Sequence, residues 1–388
     1  MNDPIAAILV GLAYYPAKSP SDKTFMRDVA LAAEADHGVD IRVVSVAETR
    51  RWYNAAPAAC DGHPPLVYAP RPFHTVSIMT DGSLAHERHG ALREYAERMS
   101  AALALRPVLA RLRAASGARY VHFFDNFGPA AAAVGRSVGL QCGVSLLSSN
   151  GDSRRTRRAF WRVSCTGMHD VVAGSLDLAQ ELSRSGVRVR AVIPWAASYD
   201  SHASHEPYST RHRMIWTGPL GPSGIDELRL ALVAMTQVSA ALPDAFVEVW
   251  PKPEYRRTYA AVAAGLGVQA RDTGTRFVEA LSKVKVMVSP VPGPSYIVGP
   301  PLTWLEAVSR GCTVVTTPCR GIPSHLVAGG GVVVARDRSA GALGEAIAKA
   351  WHGAGPNVDA LPTARDAAAS YVELWRHASE RLSSATCI

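Results

Sequence analysis

The stretch Ser295–Pro318, SYIVGPPLTWLEAVSRGCTVVTTP, joins three elements whose combination decides the fold. A Gly-Pro-Pro loop (Gly299 to Pro301) leads into a short apolar helical run, and Gly311 then turns the chain into the β-branched strand CTVVTT. Inside the apolar run stands one carboxylate, Glu306. A helix that served packing alone would carry Leu or Ala there, because an unpaired buried carboxylate is costly. Two readings stand for it: a ligand-holding group, or a partner for Arg310 one turn later.

Outward from this stretch, apolar strand-like runs alternate with helical patterns. The strands read IAAILVGLAYYP, VDIRVVSV, ARYVHFFD, QCGVSLLS, DVVAGS and VRVRAVIPW. After Arg213 they read MIWTG, AFVEVW, KVMVSP, TVVTTP and GGVVVA. The helices include KTFMRDVALAAEAD, one from about Ser83 to Ser116, FGPAAAAVGRSVG, the basic SRRTRRAFWR, and one from about Ala340 to Trp351. Such alternation predicts parallel sheets with right-handed crossovers. The polar segment Ala196 to Arg213 has no apolar period and reads as a linker. The division expected is residues 1–196 and 197–363, with a final helix, 364–382, packing back on the first domain. The segment from Arg50 to Leu84 shows no interpretable pattern.

The chain has 388 residues, enough for two domains, and no apolar run reaches the roughly 18 residues of a membrane span. Its start lacks the marks of a signal peptide, and its six cysteines are scattered with no C-x-x-C pair. A cytoplasmic protein with reduced thiols and no integral span is expected. His86 to His89, HERH, does not have zinc spacing, so no metal is expected. The net charge of +8 is carried by arginine, with only six lysines among 41 basic residues. That balance suits phosphorylated ligands or anionic surfaces. Arg154, Arg158 and Arg162 fall on one helical face, either solvated or an anchor for an anionic acceptor or membrane surface.

The segment from Met214 to Val334, in the second half of the chain, resembles the donor domain of retaining GT-B glycosyltransferases of the group-1 type. The motifs that carry the resemblance are MIWTGPLGPSG, AFVEVWPKPEY, VEALSKVKVMVSPVPG, the opening stretch and TTPCRGIPSHLVAGGGVVV. AYYP, YVHFFD and VIPWAASYD resemble the acceptor domain. The resemblance implies an α/β fold of two Rossmann-like doubly wound domains facing a central cleft. It further implies a metal-independent transferase, needing no cofactor, that moves a sugar from a nucleotide-sugar to a small-molecule, lipid-linked or polymeric acceptor.

In that family a glutamate at the place of Glu306 accepts both ribose hydroxyls, which two carboxylate oxygens can do. Leu302 and Thr303 would point backbone N–H groups at the donor phosphates, beside Gly299 and Gly218. Val298 stands where the family has a second glutamate, and Pro219 and Ser223 where it has clamping cations. Lys252, Arg276 and Arg320 follow strand ends and are the candidate replacements. Tyr15, Lys18, Ser19, Arg154, Arg158 and Arg162 are the acceptor-side candidates. His122 and Asp125 are the candidate catalytic pair, with a satisfied core histidine as the other reading of His122. A GT-B partner protein without transferase activity is the alternative function, and a nucleic-acid base glycosyltransferase a third, although nucleic acid is not an expected partner.

Overall fold

The computed structural model describes residues 5–12, 21–47, 66–70, 77–78, 84–85, 91–124, 129–146, 149–150, 154–196, 206–217, 224–251, 256–271, 280–293 and 297–385. The chain divides into two compact units. One holds Met1–Val76, Arg88–Ser198 and Pro362–Ile388; the other holds Ser77–Glu87 and Tyr199–Leu361.

The first unit is built on a parallel sheet of β1 (Ala6–Leu12), β2 (Asp40–Ala47), β3 (Leu66–Pro70), β4 (Tyr120–Phe123), β5 (Gln141–Leu146), β6 (Asp170–Ala173) and β7 (Ala191–Val192). Its spatial order is 7-6-5-4-1-2-3. Its helices are α1 (Ser21–His37), α2 (Ala91–Ser116), α3 (Pro129–Ser137), α4 (Arg154–Cys165), α5 (Leu176–Arg184) and the last helix of the chain, Ala364–Ala385, which packs against α1. The second unit has β8 (Arg213–Trp216), β9 (Phe246–Val249), β10 (Gln269–Ala270), β11 (Val284–Val288), β12 (Thr313–Thr316) and β13 (Val332–Val334), in the order 10-9-8-11-12-13. Its helices are α6 (Gly224–Ser239), α7 (Arg256–Gly265), α8 (Leu302–Ser309), α9 (Ser324–Ala328) and α10 (Ala340–His352), and the last helix of the chain becomes α11. Both sheets have the doubly wound order that reverses beside the first strand, which places ligand sites at the carboxyl ends of β1/β4 and β8/β11.

Two sequence expectations change. The helix expected from Ser83 begins at Ala91, and Leu84–Ala85 instead pairs antiparallel with Ser77–Ile78. The segment without a legible pattern contains β3, which pairs in parallel with β2. Five residues, LVYAP, are too few to show a period, so only pairing with an existing edge reveals the strand.

Arginines secure the helix ends by one repeated device. Arg113 on α2 donates to Val138 O (2.8 Å), Arg136 on α3 to Gly167 O (2.9 Å), and Arg162 on α4 to Ser185 O (2.6 Å). Arg211 in the second unit donates to Arg310 O (2.9 Å). Each acceptor lies just past a helix and in or next to a glycine of positive φ: Gly139, Gly167, Gly186 and Gly311. The guanidinium thus meets the carbonyls that a helix leaves open, at the negative end of its dipole.

Candidate functional site

At the carboxyl end of β11 and β12, side chains and backbone lock into one scaffold. Ser289, just after β11, accepts the indole N–H of Trp304 at its hydroxyl (3.0 Å), and its carbonyl accepts from the Thr316 hydroxyl (2.8 Å). Thr317 accepts from Val291 N (2.9 Å) and donates to Val291 O (3.1 Å). All four side chains are buried, so these bonds form away from water and hold α8 in a fixed orientation. The sequence reading overlooked them. The available signal was Ser and Thr placed directly at the carboxyl ends of two largely apolar strands.

α8 starts from Pro301, which is extended (φ −58°, ψ 141°), and Trp304 N closes the first turn on Pro301 O (2.9 Å). Pro300 and Pro301 have no N–H, so Leu302 and Thr303 carry the first amides of the helix. Glu306 lies on α8 with 6 % of its surface exposed. The Nε of Arg310, one turn later, is without a hydrogen-bond partner among the described residues.

Beside the start of α8 two loops interlock. Val298 forms a parallel bridge with Arg320, while Gly299 (φ 90°) and Gly321 (φ 75°) lie backbone to backbone. A Cβ added to Gly321 would sit 2.4 Å from Gly299 N. Gly321→Ala is therefore expected to lower stability by about 1–2 kcal/mol for the left-handed backbone alone. It should also displace the Gly299–Pro301 loop and weaken any ligand held by α8. Chemical denaturation and ligand titration on one variant check both effects, and an unchanged variant would show that the loops can part freely.

Leu302, Thr303 and Glu306 lie on α8, while Gly299 and Arg320 lie on the two interlocked loops beside its start. Gly218, Lys252 and Arg276 lie outside the described residues, as do Tyr15, Lys18, Ser19 and Asp125. Arg154 belongs to α4, and Arg158 is exposed on it. Arg162 sits near the far end of α4, its Nε committed to Ser185 O.

His122 is not at a ligand surface. It is fully buried on β4, where Nε2 meets Ser145 Oγ (2.7 Å), and Ser145 Oγ meets the Tyr371 hydroxyl (2.6 Å) from α11. The rings of Phe124, Tyr371 and Trp375 surround it. Burial lowers its pKa to about 3, so the ring is neutral at pH 7. Gly143 on the neighbouring strand leaves the space, since a Cβ there would lie 1.9 Å from Tyr120 OH and 2.9 Å from His122 Nδ1. A short apolar strand ending in His-Phe-Phe-Asp does not tell which way the imidazole faces. The cover supplied by α11, some 250 residues later, settles it.

Residues 211–352 match the family model of group 1 glycosyl transferases. No curated protein sequence matches the chain. Among solved structures, a sucrose-phosphate synthase from Thermosynechococcus elongatus is similar with a TM-score of 0.66 and 15 % identity, over 97 % of this chain and 100 % of that one. Anabaena HepE in complex with UDP and glucose gives 0.59 and 13 %, over 98 % and 100 %. A UDP-GlcNAc 2-epimerase from Methanocaldococcus jannaschii gives 0.57 and 8 %, over 96 % and 100 %. At such identities the likeness is one of fold, which transferases and an epimerase share, so the family match carries the distinction. Residues 211–352 thus match a group 1 glycosyl transferase domain, and the chain has the GT-B fold of the solved glycosyltransferases it is similar to.

Proposed function

We propose that the chain is a retaining, metal-independent glycosyltransferase whose donor is a nucleotide-sugar held by the second unit and whose acceptor is held by the first. One observation carries the donor assignment: a buried carboxylate, Glu306, on a helix whose first amides follow two prolines at the carboxyl end of a doubly wound sheet. Glu306 accepts the two ribose hydroxyls, and the amides of Leu302 and Thr303 face the phosphates next to Gly299 and Gly218. Lys252, Arg276 and Arg320 add positive charge. Tyr15, Lys18, Ser19, Arg154 and Arg158 serve the acceptor side, and the bound glucose of HepE belongs to that protein alone.

In the reaction the bond from the anomeric carbon to the diphosphate oxygen breaks, and the diphosphate leaves with the electron pair. The acceptor hydroxyl attacks the same face of the oxocarbenium-like centre, and its proton passes to the departing phosphate. Stabilising that leaving charge and aligning the hydroxyl are the protein's tasks. The sequence carries no Asp-x-Asp pair that would call for a divalent ion. The four described cysteines are free thiols, which suits the cytoplasmic setting of this reading. No helix of the described residues is long and apolar enough to cross a membrane, and a lipid-linked acceptor would be met from the membrane surface.

A thermal-shift screen against UDP, GDP, ADP and TDP tests the donor assignment. A ligand at a hundred times its Kd stabilises the fold by about 2.7 kcal/mol, which raises the melting temperature by several degrees in a domain of this size. One of the four is expected to do so. Silence from all four would remove the nucleotide-sugar reading.

A further inference from the structure

We infer that Arg211 and Trp304 are positioning residues for the nucleotide site: they pin the two ends of α8 and so fix where Glu306 stands. The inference rests on the donor reading above. α8 has only eight residues and starts on Pro301 with no side-chain cap. A helix shorter than about 12 residues is marginal by itself, so its place must come from tertiary contacts. Two such contacts, one at each end, tie α8 to β11. At the start, the Trp304 indole N–H donates to Ser289, the residue after β11 (3.0 Å). At the end, Nη1 of Arg211 donates to Arg310 O (2.9 Å) and to Val284 O (3.1 Å), the first carbonyl of β11. Glu306 lies between the pins, and its carbonyl accepts from Arg310 N in the last turn.

Arg211 is itself fixed. It is buried, its Nε donates to Glu206 O (2.9 Å), and its fork lies against Gly311, where a Cβ would come within 2.9 Å of Nη2. The adjoining turn, Tyr208–Thr210, is fastened by the Tyr208 hydroxyl on Ala350 O (2.7 Å). The Lys285 ammonium stands 5.2 Å from the Tyr208 ring centre and 4.8 Å from that of Trp351. The segment that reads in sequence as the end of a polar linker is therefore a rigid mount for the far end of α8. A planar guanidinium holds three carbonyls in set directions, which an ammonium on a flexible stem cannot do. A carboxylate that must meet two ribose hydroxyls loses affinity when its helix can rock, because binding then has to order it.

The test is calorimetric titration of a nucleoside diphosphate, the tightest of UDP, GDP, ADP and TDP. The variants are Arg211→Lys and Trp304→Phe, each made in the wild type and in Glu306→Gln. With Glu306 present, either substitution is expected to weaken the diphosphate about three- to tenfold, and with Gln in its place less than about twofold. The fall in melting temperature should be the same in both backgrounds, since the packing role of the pins does not depend on the carboxylate. Should Arg211→Lys fail to fold, Trp304→Phe, which removes one hydrogen bond and keeps an aromatic ring, decides the question. Equal weakening in both backgrounds would show that the pins do not act through Glu306 and would overturn the inference. An affinity untouched in both would overturn it too, while leaving the donor reading intact. If no nucleotide binds the wild type, or Glu306→Gln alone leaves the affinity as it was, the donor reading fails and takes the inference with it.

Discussion

Glu306→Gln is expected to weaken nucleotide binding about ten- to a hundredfold and to leave the melting temperature within a degree or two of the wild type. The amide keeps the size of the carboxyl but loses its charge and one acceptor. Hydrogen bonds to a charged group are worth roughly 1.5–3 kcal/mol, and each 1.4 kcal/mol is tenfold in affinity. Stability should hold because other groups orient α8: the Trp304 indole on Ser289, the Pro301 start, and Arg211 on Arg310 O at the far end. Arg310 donates its backbone amide to Glu306 O (3.2 Å), a bond the substitution does not touch. If Glu306 instead serves the scaffold, the two results exchange places: melting falls and nucleotide affinity stays. Measured on one variant, a fall in melting temperature alone would sink the assignment.

That Glu306 could be singled out from the sequence follows from local physics. A lone carboxylate in an apolar run, between a rigid loop and a β-branched strand, is a local contradiction, and such contradictions mark sites. The doubly wound order was legible for a related reason. Strands buried on both faces read as continuous apolar runs, as AAILVGL on β1 does, and the helices between them set the crossover. What escaped the sequence depends on long-range cover. His122 was a candidate because it ends a strand where ligands bind, yet α11 closes over it with Tyr371 and Trp375.

The arginines show the same limit. At helical spacing Arg154, Arg158 and Arg162 share a face, and charge alone makes them equivalent. In the fold, Arg162 reaches Ser185 O beyond α5, while Arg158 remains exposed. No period in the sequence separates a guanidinium that caps a distant helix from one that faces solvent. Gly186 is the one hint, since a helix ending in a left-handed glycine leaves carbonyls for a donor to meet.

The buried imidazole leads to the second large effect. Between about pH 3, the folded-state pKa of His122, and about 6.5, that of an unfolded histidine, only the unfolded chain holds the extra proton. Stability from this group is therefore complete above about pH 6.5 and falls as the pH drops, by about 1.4 kcal/mol per unit. At pH 4.5 the loss is roughly 2–3 kcal/mol relative to neutral pH. The groups facing the ring are Tyr120, Ser145, Phe124, Tyr371 and Trp375, and beyond Tyr120 lies Asp170, paired with Arg381. The two tyrosines stay neutral throughout, because burial raises their pKa values. His122→Gln removes the titration while leaving a polar group to meet Ser145. The variant should be less stable than the wild type at pH 7.5, and the gap should narrow by roughly 2–3 kcal/mol at pH 4.5. Taking the difference between two proteins cancels the carboxylates that titrate in both. Urea unfolding of the two at both pH values gives the answer: a gap that stays constant would mean that His122 is protonated in the folded protein, and its burial under α11 would no longer explain its state.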